Sequence, residues 1–334
     1  MSEFAFQFPL LCVDVGGTNA RFALTAEPAG ASSPPIHLKT GDHAGLAEAI
    51  HAALPQLPQR PRSVIACGAG PVVGRSLKLT NAPWTIDGPE VARRVGLSQG
   101  LLLNDFEAQA LSLPVIREEW ARRIGPVGFG ASGPQVILGP GTGLGIGALV
   151  LAGGRYTSLA SEACHVDFGA VTAEEQAIWP HLERAYGRVT TESVLSGAGL
   201  ARVHAARIVS LARPRPALAA PAIVAAAEAD RSSDEAESLR LFWRIVGRFA
   251  GDMAVTFVAG GGVTLAGGVL PRIAEFLDEA TFRARFEAKA PVDRLARSIP
   301  TRLLTQADSV LAGMAAIGGS PDRYAIDFSA RAWV

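Results

Sequence analysis

Glycine loops that directly follow apolar runs are the residues in this sequence best placed to do chemistry. Four such runs, each predicted to be a buried strand, end in a glycine turn. Backbone N–H groups in a turn of this kind can converge on an anion because no side chain blocks the approach. For any one turn, a glycine that merely completes the bend is an equally good explanation. The loop Gly141-Thr142-Gly143-Leu144-Gly145 holds more glycine than a hairpin needs, and it predicts a phosphate-binding loop.

A dinucleotide-binding fingerprint is the alternative explanation for part of this loop. Residues Gly143 to Ala148 fit the pattern G-x-G-x-x-A. That fingerprint must lead from a strand into a helix, whose N-terminus then meets the pyrophosphate. Here the run Ala148-Leu149-Val150-Leu151 before Gly153-Gly154 predicts a strand and a hairpin turn. The sequence context therefore disfavours a nicotinamide-type dinucleotide site.

Asp105 is the carboxylate whose position in the sequence best suits a proton acceptor. It follows the apolar run Leu101 to Leu103 and Asn104, and it begins a predicted helix. The helix dipole and the free N–H groups of the first turn favour its ionised form, which can accept a proton from a hydroxyl group. From the residues alone, an aspartate that only caps a helix is the simpler explanation.

The elements that must position these residues alternate along the whole chain. The apolar run Leu10–Val15 predicts a strand, and the stretch Ser63–Pro71 predicts a buried strand that ends in a loop. From Leu239 onward, apolar residues between Phe242 and Phe257 recur at helical spacing and predict a long helix. The segment from Glu183 to about Arg207 is predicted to be mainly helical, and a final helix is predicted from Asp308 to Ile317. Interleaved strands and helices without a repeat indicate an α/β protein.

Composition excludes several classes of function. The 334 residues include 31 basic and 31 acidic side chains, and this neutral balance disfavours binding to nucleic acid. No run of about 18 apolar residues predicts a membrane span. The opening Met1-Ser2-Glu3-Phe4 lacks the basic segment of a secretory signal, so we expect a cytoplasmic protein.

Cysteine and lysine usage narrows the chemistry further. Cys12, Cys67 and Cys164 are widely separated, which disfavours a disulfide framework or a cysteine zinc cluster. Only three of the 31 basic residues are lysines, and none follows glycine and precedes serine or threonine. A P-loop is therefore not expected, because its lysine must reach the phosphates.

Six motifs, taken in order, carry a specific resemblance. They are Asp14-Val15-Gly16-Gly17-Thr18-Asn19-Ala20-Arg21, Asn104-Asp105-Phe106, Gly141-Thr142-Gly143-Leu144-Gly145, Glu162-Ala163-Cys164-His165-Val166-Asp167-Phe168, Glu192-Ser193-Val194-Leu195-Ser196-Gly197 and Ala266-Gly267-Gly268-Val269-Leu270-Pro271. From about Leu10 to Gly318 the chain resembles the bacterial glucokinases, which belong to the superfamily of actin and the heat-shock chaperone ATPases.

The resemblance implies a two-lobed actin-like ATPase (ribonuclease H-like) fold of the α/β class, with mixed sheets and a cleft that binds ATP and a sugar. It assigns residues 1–109 and 308–334 to a small lobe and residues 110–307 to a large lobe. It also implies that family members often form homodimers, although no residue here identifies an interface.

The resemblance assigns nucleotide contacts to three glycine-containing segments. The first phosphate loop would include Asp14, Gly16, Gly17, Thr18 and Asn19, and the second would include Gly141, Thr142 and Gly143. Gly267 and Gly268 would face the adenosine. Asp14 would also help to hold Mg²⁺, usually through water, although a carboxylate that caps a turn is the structural alternative.

The sugar site follows from the same resemblance. It implies that Asp105 is the general base and that the sugar hydroxyls are bound by Asn81, Asn104, Asp105, Glu162, His165 and Glu192. Buried groups that pair with hydroxyls reject analogues that lack them. Structural roles remain open for three of these residues: a turn for Asn81, a packed histidine for His165 and a helix N-terminal acid for Glu192.

One departure from the family concerns the sugar loop. The family more commonly has two glycines where this chain has Ala163 and Cys164, and the two added Cβ atoms are expected to narrow the pocket or shift the backbone. The resemblance predicts Mg²⁺-ATP-dependent phosphorylation of glucose to glucose 6-phosphate, which feeds glycolysis. A kinase for another hexose or an amino sugar, or a non-catalytic sugar-responsive regulator, remains an alternative.

Overall fold

The computed structural model describes residues 4–213, 215–306 and 308–333. The strands are β1 (Leu10–Val15), β2 (Asn19–Thr25), β3 (Ile36–Lys39), β4 (Ser63–Gly68), β5 (Val72–Val73), β6 (Ser76–Lys78), β7 (Thr85–Asp87), β8 (Gln99–Asn104), β9 (Ala121–Ile124), β10 (Gln135–Pro140), β11 (Leu144–Ala152), β12 (Arg155–Ala160), β13 (Gly262–Leu265) and β14 (Thr301–Leu304). The α-helices are α1 (Leu46–Ala53), α2 (Gly88–Val95), α3 (Asp105–Ser112), α4 (Ala173–Ile178), α5 (Thr191–Val194), α6 (Gly197–Ser210), α7 (Ala220–Ala229), α8 (Asp234–Thr256), α9 (Glu279–Glu287), α10 (Asp293–Ser298), α11 (Ser309–Gly319) and α12 (Phe328–Arg331).

The chain divides into two compact units. The first unit comprises the chain through Trp120, the segment Leu149–Leu159 and the chain from Gln306 onward. The second unit comprises Ala121–Ala148 and Ala160–Thr305. Each unit has its own buried apolar cluster, as expected for a chain of this length.

A five-stranded sheet in the order β3-β2-β1-β4-β8 organises the first unit. Strands β1, β4 and β8 are parallel, and β2 runs antiparallel to both of its neighbours, β1 and β3. The three parallel strands are almost continuously buried because helices cover both faces of such a sheet. Helix α11 packs on β1 and on α3, so the end of the chain supports the sheet.

The second unit is built on a six-stranded sheet and one long helix. The sheet has the order β12-β11-β10-β13-β14-β9, with β10, β13 and β14 parallel. Helix α8 lies at the centre of the unit and packs against α6, α7 and α9. Ser233 caps its N-terminus, and Asp234, Glu235 and Glu237 complement the helix dipole in its first turn.

Two expectations about local structure have clear outcomes. The run that follows Gly143 forms strand β11, and Gly153-Gly154 forms the turn to β12, so the strand expected in place of a dinucleotide-binding helix is confirmed. The prediction of a mainly helical segment from Glu183 to Arg207 is wrong in its first part. The hydroxyl groups of Thr190 and Ser196 each accept a hydrogen bond from a later backbone N–H, so they start two separate helices, α5 and α6.

The fold contains an α/β arrangement with mixed sheets in both units, as predicted. Within the described part of the chain, none of the helices has the length and apolar character required to cross a bilayer.

Candidate active site

The carboxyl edge of the first sheet gathers the predicted residues of the first unit. Strands β1, β4 and β8 are aligned so that Val15 is opposite Gly68 and Gly68 is opposite Asn104. The loops that carry Gly16 to Asn19 and Asp105 therefore leave the sheet at the same level. This edge is where parallel α/β sheets ordinarily bind ligands.

Hydrogen bonds within and beside the first glycine loop, Gly16 to Asn19, fix its conformation. Gly16 N–H donates to the carbonyl of Asn19 at 2.9 Å, and Thr40 Oγ1 donates to the carbonyl of Gly16 at 2.8 Å. Asn81 lies directly against this loop, since a Cβ added at Gly17 would be 2.8 Å from the Asn81 carbonyl oxygen. Only glycine fits at position 17, because the two backbones approach each other closely there. Asn81 therefore lies beside the loop.

Asp14 is the charged centre of the same edge. Arg21 donates to Asp14 Oδ2 from both Nε, at 3.0 Å, and Nη2, and it also pairs with Asp308. The Cys67 thiol donates to Asp14 Oδ1 at 3.4 Å. Oδ1 accepts one hydrogen bond and therefore keeps a lone pair, to which a water molecule of a hydrated Mg²⁺ can still donate.

Asn104 connects strand β8 to helix α3. Its Oδ1 accepts hydrogen bonds from the N–H groups of Phe106 and Glu107, and the Glu107 carboxylate accepts one from the Asn104 N–H, which completes a capping box. Asn104 Nδ2 donates to the carbonyl of Gly70 at 3.1 Å. One amide hydrogen of Asn104 remains for a ligand such as a sugar hydroxyl.

Asp105 is the first residue of α3, and its ionisation differs from the sequence expectation. Burial is the largest influence and raises the pKa of Asp105 to about 6. The negative charge of Asp14 acts in the same direction, whereas the N–H of Phe106 and the Asn104 side chain oppose it. The helix N-terminus was expected to favour the ionised form, but desolvation outweighs it. A carboxylate with this pKa is largely ionised at pH 7 and still basic enough to accept a proton.

The second glycine loop lies between β10 and β11. Gly141 N–H donates to the Gly143 carbonyl at 2.7 Å, and the N–H of Gly197, at the start of α6, donates to the Gly141 carbonyl at 2.8 Å. Glu192, on α5, accepts a hydrogen bond from Leu144 N–H at 2.9 Å. A Cβ at Gly143 would be 2.4 Å from Glu192 Oε2, so the carboxylate rests on the loop itself.

Gly267 lies against the same loop region. Its φ of +84° is in the left-handed range, and a Cβ there would be 2.5 Å from the Pro140 carbonyl oxygen. Both features require glycine. Gly268 is exposed and has open space around it. The predicted adenosine and second phosphate segments therefore lie together at the carboxyl ends of β10 and β13.

Glu162 and His165 lie in the loop between β12 and α4, at a short 3₁₀ turn formed by Ala163 to His165. His165 Nε2 is 3.5 Å from Glu162 Oε2, and both side chains are more than half exposed. The N–H of Thr191 donates to the Val166 carbonyl at 3.1 Å, which ties this loop to the start of α5. Glu162, His165 and Glu192 therefore belong to connected segments of the second unit.

Ala163 and Cys164, the departures from the family pattern, pack on the core of the second unit. Cys164 is only 5% exposed, and its thiol points toward Glu162 Oε2 at 3.6 Å. Burial is the main reason that the pKa of Cys164 rises to about 12. The thiol is therefore protonated and poorly nucleophilic.

Potential metal ligands in the second unit are the side chains of Glu162, Cys164 and His165, whose donor atoms lie within 4.8 Å of one another. A thiol that remains protonated is a poor ligand, because metals bind the thiolate. The arrangement is better suited to hydrogen bonding than to holding zinc.

A cavity of about 490 Å³ lies within the second unit, and it reveals a residue that sequence reasoning missed. Thr142, His165 and Glu192 contribute to its wall, as do Arg188 and Arg202. Arg188 donates to the His165 carbonyl at 2.7 Å and to Asp167 Oδ1 at 3.0 Å, so it fixes the loop that carries His165. No sequence motif marks Arg188, and only the fold brings it to His165.

Comparison with known proteins shows which family this chain resembles. The glucokinase family model matches residues 11–320. The chain is 39% identical to a glucokinase of Brucella melitensis biotype 1, with 99% of this chain and 97% of that protein covered. The crystal structure of a glucokinase from an Antarctic psychrotroph matches with a TM-score of 0.82 at 29% identity, with 93% of this chain and 98% of that chain covered.

A more distant match shows the fold alone. The crystal structure of a glucokinase from Balamuthia mandrillaris in complex with glucose has a TM-score of 0.75 at 20% identity, with 93% of each chain covered. The fold is that of the actin-like ATPases, and together with the matches it defines an ATP-dependent sugar kinase. The chain belongs to the glucokinase family.

Proposed function

We propose that this chain transfers the γ-phosphoryl group of ATP to the 6-hydroxyl of glucose and that Asp105 is the general base. The observation that supports this most directly is the position of Asp105, at the start of α3 and with a pKa raised to about 6. A base must be ionised at working pH and must still attract the hydroxyl proton, and a pKa just below neutrality meets both needs.

The proposed step balances without a further reactant. The sugar O6 forms a bond to the γ-phosphorus, and the bond from that phosphorus to the bridging oxygen of ADP breaks. The proton of the 6-hydroxyl passes to the Asp105 carboxylate. Phosphoryl transfer depends on positioning and charge neutralisation more than on covalent help from the protein.

We assign the nucleotide phosphates to the two glycine loops, Gly16 to Asn19 and Gly141 to Gly143. Their N–H groups supply partial positive charge where the chain supplies little lysine. Gly267 and Gly268 are assigned to the adenosine. Mg²⁺, when bound, neutralises the negative charge on the phosphates, and Asp14 would hold it through water.

We assign the sugar hydroxyls to Asn81, Asn104, Glu162, His165 and Glu192, in addition to Asp105. The one free amide hydrogen of Asn104 and the accessible carboxylate of Glu162 support this assignment. Arg188 supports it indirectly, because its two hydrogen bonds hold the His165 loop in place. The product is glucose 6-phosphate, the entry compound of glycolysis.

Replacement of the base tests the mechanism. Asp105→Ala should lower kcat by a factor of about 10²–10⁴, because general base catalysis contributes on that order. Glucose binding, measured by isothermal titration calorimetry, should remain detectable. The matched control is Asp322→Ala. It removes an exposed aspartate that has no role in the proposed mechanism, so kcat should be unchanged. A kcat close to wild type in the Asp105→Ala protein would refute the proposed base.

The sugar assignment has its own test. ADP release should be measured with glucose, mannose, fructose and N-acetylglucosamine under the same conditions. We expect the highest kcat/KM with glucose. ADP release with only an amino sugar would keep the kinase class and overturn the substrate assignment.

A further inference from the structure

The C-terminal tail, Pro321 to Trp333, lies beyond the segment matched by the family model, which ends at residue 320. It forms a short turn, a bridge to the rest of the first unit and helix α12. Within the first unit it extends along the free edge of β8, the strand that leads to Asp105. Gly100 and Trp333 exchange two backbone hydrogen bonds of 3.1 Å there.

Trp333 anchors the tail by filling a space that two glycines leave open. Trp333 is 3% exposed. A Cβ at Gly88 would be 2.3 Å from the ring, and a Cβ at Gly100 would be 2.1 Å from it. The tail is therefore packed into the first unit as part of its core, and the residue two positions earlier, Arg331, is held in a fixed place.

Arg331 makes a two-pronged ion pair with Glu107. Nη1 donates to Glu107 Oε1 at 2.6 Å, and Nη2 donates to Oε2 at 2.8 Å. Nη2 also donates to the carbonyl of Leu102, in β8, at 2.9 Å. The Arg331 and Glu107 side chains are 23% and 18% exposed, so the pair is partly shielded from water. Bidentate arginine–carboxylate pairs fix geometry better than single contacts do.

Glu107 is the residue that closes the capping box at Asn104. Its Oε2 accepts a hydrogen bond from the Asn104 N–H at 3.2 Å, while Asn104 Oδ1 accepts from the N–H groups of Phe106 and Glu107. Asp105 lies between these capping residues. The position of its backbone is therefore set by the same hydrogen bonds that Arg331 steadies from the other side of Glu107.

We propose that Arg331 is a positioning residue for Asp105, and that it acts through Glu107 and the Asn104 cap. This inference rests on the proposed role of Asp105 as the base. The tail thus contributes to phosphoryl transfer without contact with either substrate. Misplacement of a catalytic group by about 1 Å can cost up to about 100-fold in rate, so a loosened cap should be visible in kcat.

The test compares three variants with wild type. Arg331→Ala should lower kcat about tenfold or more and change the KM for MgATP less than twofold. Arg331→Lys keeps the charge but loses the two-pronged geometry, so its kcat should lie between those of wild type and Arg331→Ala. The matched control is Arg323→Ala, on the same tail, where the guanidinium stacks on Tyr156 at 5.4 Å; its kcat should equal wild type.

A double-variant comparison separates positioning from general destabilisation. If Arg331 acts through Glu107, then Arg331→Ala combined with Glu107→Gln should lower kcat no more than the stronger single change does. Losses in kcat that multiply in the double variant would overturn the proposal. Each protein is checked for folding by thermal unfolding, and if Arg331→Ala does not fold, Arg331→Lys and Glu107→Gln carry the comparison.

The possible failures are distinguishable. A folded Arg331→Ala protein with kcat and KM within twofold of wild type would overturn the positioning role alone, provided that Asp105→Ala is inactive. An active Asp105→Ala protein would instead overturn the proposed base, and the positioning role with it.

Discussion

The activity of this kinase should depend on pH in a way that the environment of Asp105 sets. The pKa of Asp105 is raised to about 6, first by burial and then by the charge of Asp14. The carboxylate is the active form, so activity should be present above that pKa and should be lost as the pH falls through it. For a single ionisation, about half of the maximal kcat/KM remains at pH 6 and about one-tenth at pH 5.

The assay measures kcat/KM for glucose between pH 5 and pH 8.5, with MgATP saturating at every pH and ADP quantified directly. The control is His165→Gln, a change in the sugar loop that leaves Asp105 in place. Its kcat/KM for glucose should be lower throughout, but the midpoint of the acidic limb should stay near pH 6.

Two results would refute the reasoning. A profile that stays flat down to pH 5 would show that Asp105 is ionised well below its proposed pKa. An acidic limb that disappears in His165→Gln would show that the limb does not arise from Asp105. Either result would mean that the polar contacts of Asp105 outweigh its desolvation in the enzyme before glucose binds.

Two further predictions concern single atoms. Gly143→Ala should raise the KM for glucose about tenfold, because the new Cβ would lie 2.4 Å from Glu192 Oε2 and a charged hydrogen bond of about 1.5–3 kcal/mol would be lost. The control is Gly169→Ala, at an exposed position with open space around it, and equal KM values in the two variants would contradict the prediction. Asp105→Asn should raise the free energy of unfolding at pH 7.5 by about 1–3 kcal/mol, because the buried charge is removed. Urea unfolding should show this gain shrinking toward pH 4, where folded wild type is already protonated, and a variant less stable than wild type at pH 7.5 would contradict it.

Local sequence patterns were sufficient to predict the elements that carry the candidate site. Alternation of apolar runs with glycine predicted strand β1, the loop after β10 and the hairpin that follows it, since these depend on neighbours in the chain. The start of α3 at Asp105 was predictable for the same reason. The resemblance to a family then supplied roles that residue types alone left open.

The rest depended on contacts between distant residues. The direction of the pKa shift at Asp105 could not be predicted, because desolvation depends on how the sheet edge packs and not on the helix alone. Arg188 has no motif, and its contact with His165 exists only once α5 is folded against the sugar loop. The two hydroxyl caps at Thr190 and Ser196 divided a segment whose composition favoured one helix.

The packing of the C-terminal tail on the edge strand β8 was also not predictable from the sequence. Gly88 and Gly100 are ordinary glycines in the sequence, and their common purpose becomes evident only when Trp333 fills the space beside them. The inclusion of Leu149–Leu159 in the first unit is a similar case. Apolar patterning predicted that hairpin but gave no signal about which core it joins.

Cys12, Cys67 and Cys164 have a practical consequence for work on this protein. All three side chains are at most 5% exposed, and the pKa of each thiol is raised by burial. Maleimide and similar reagents attack exposed thiolates, so the native cysteines should react slowly. A single cysteine introduced at an exposed position would then be labelled selectively. The wild-type background is therefore suited to fluorescence measurements of ligand binding without removal of its own thiols.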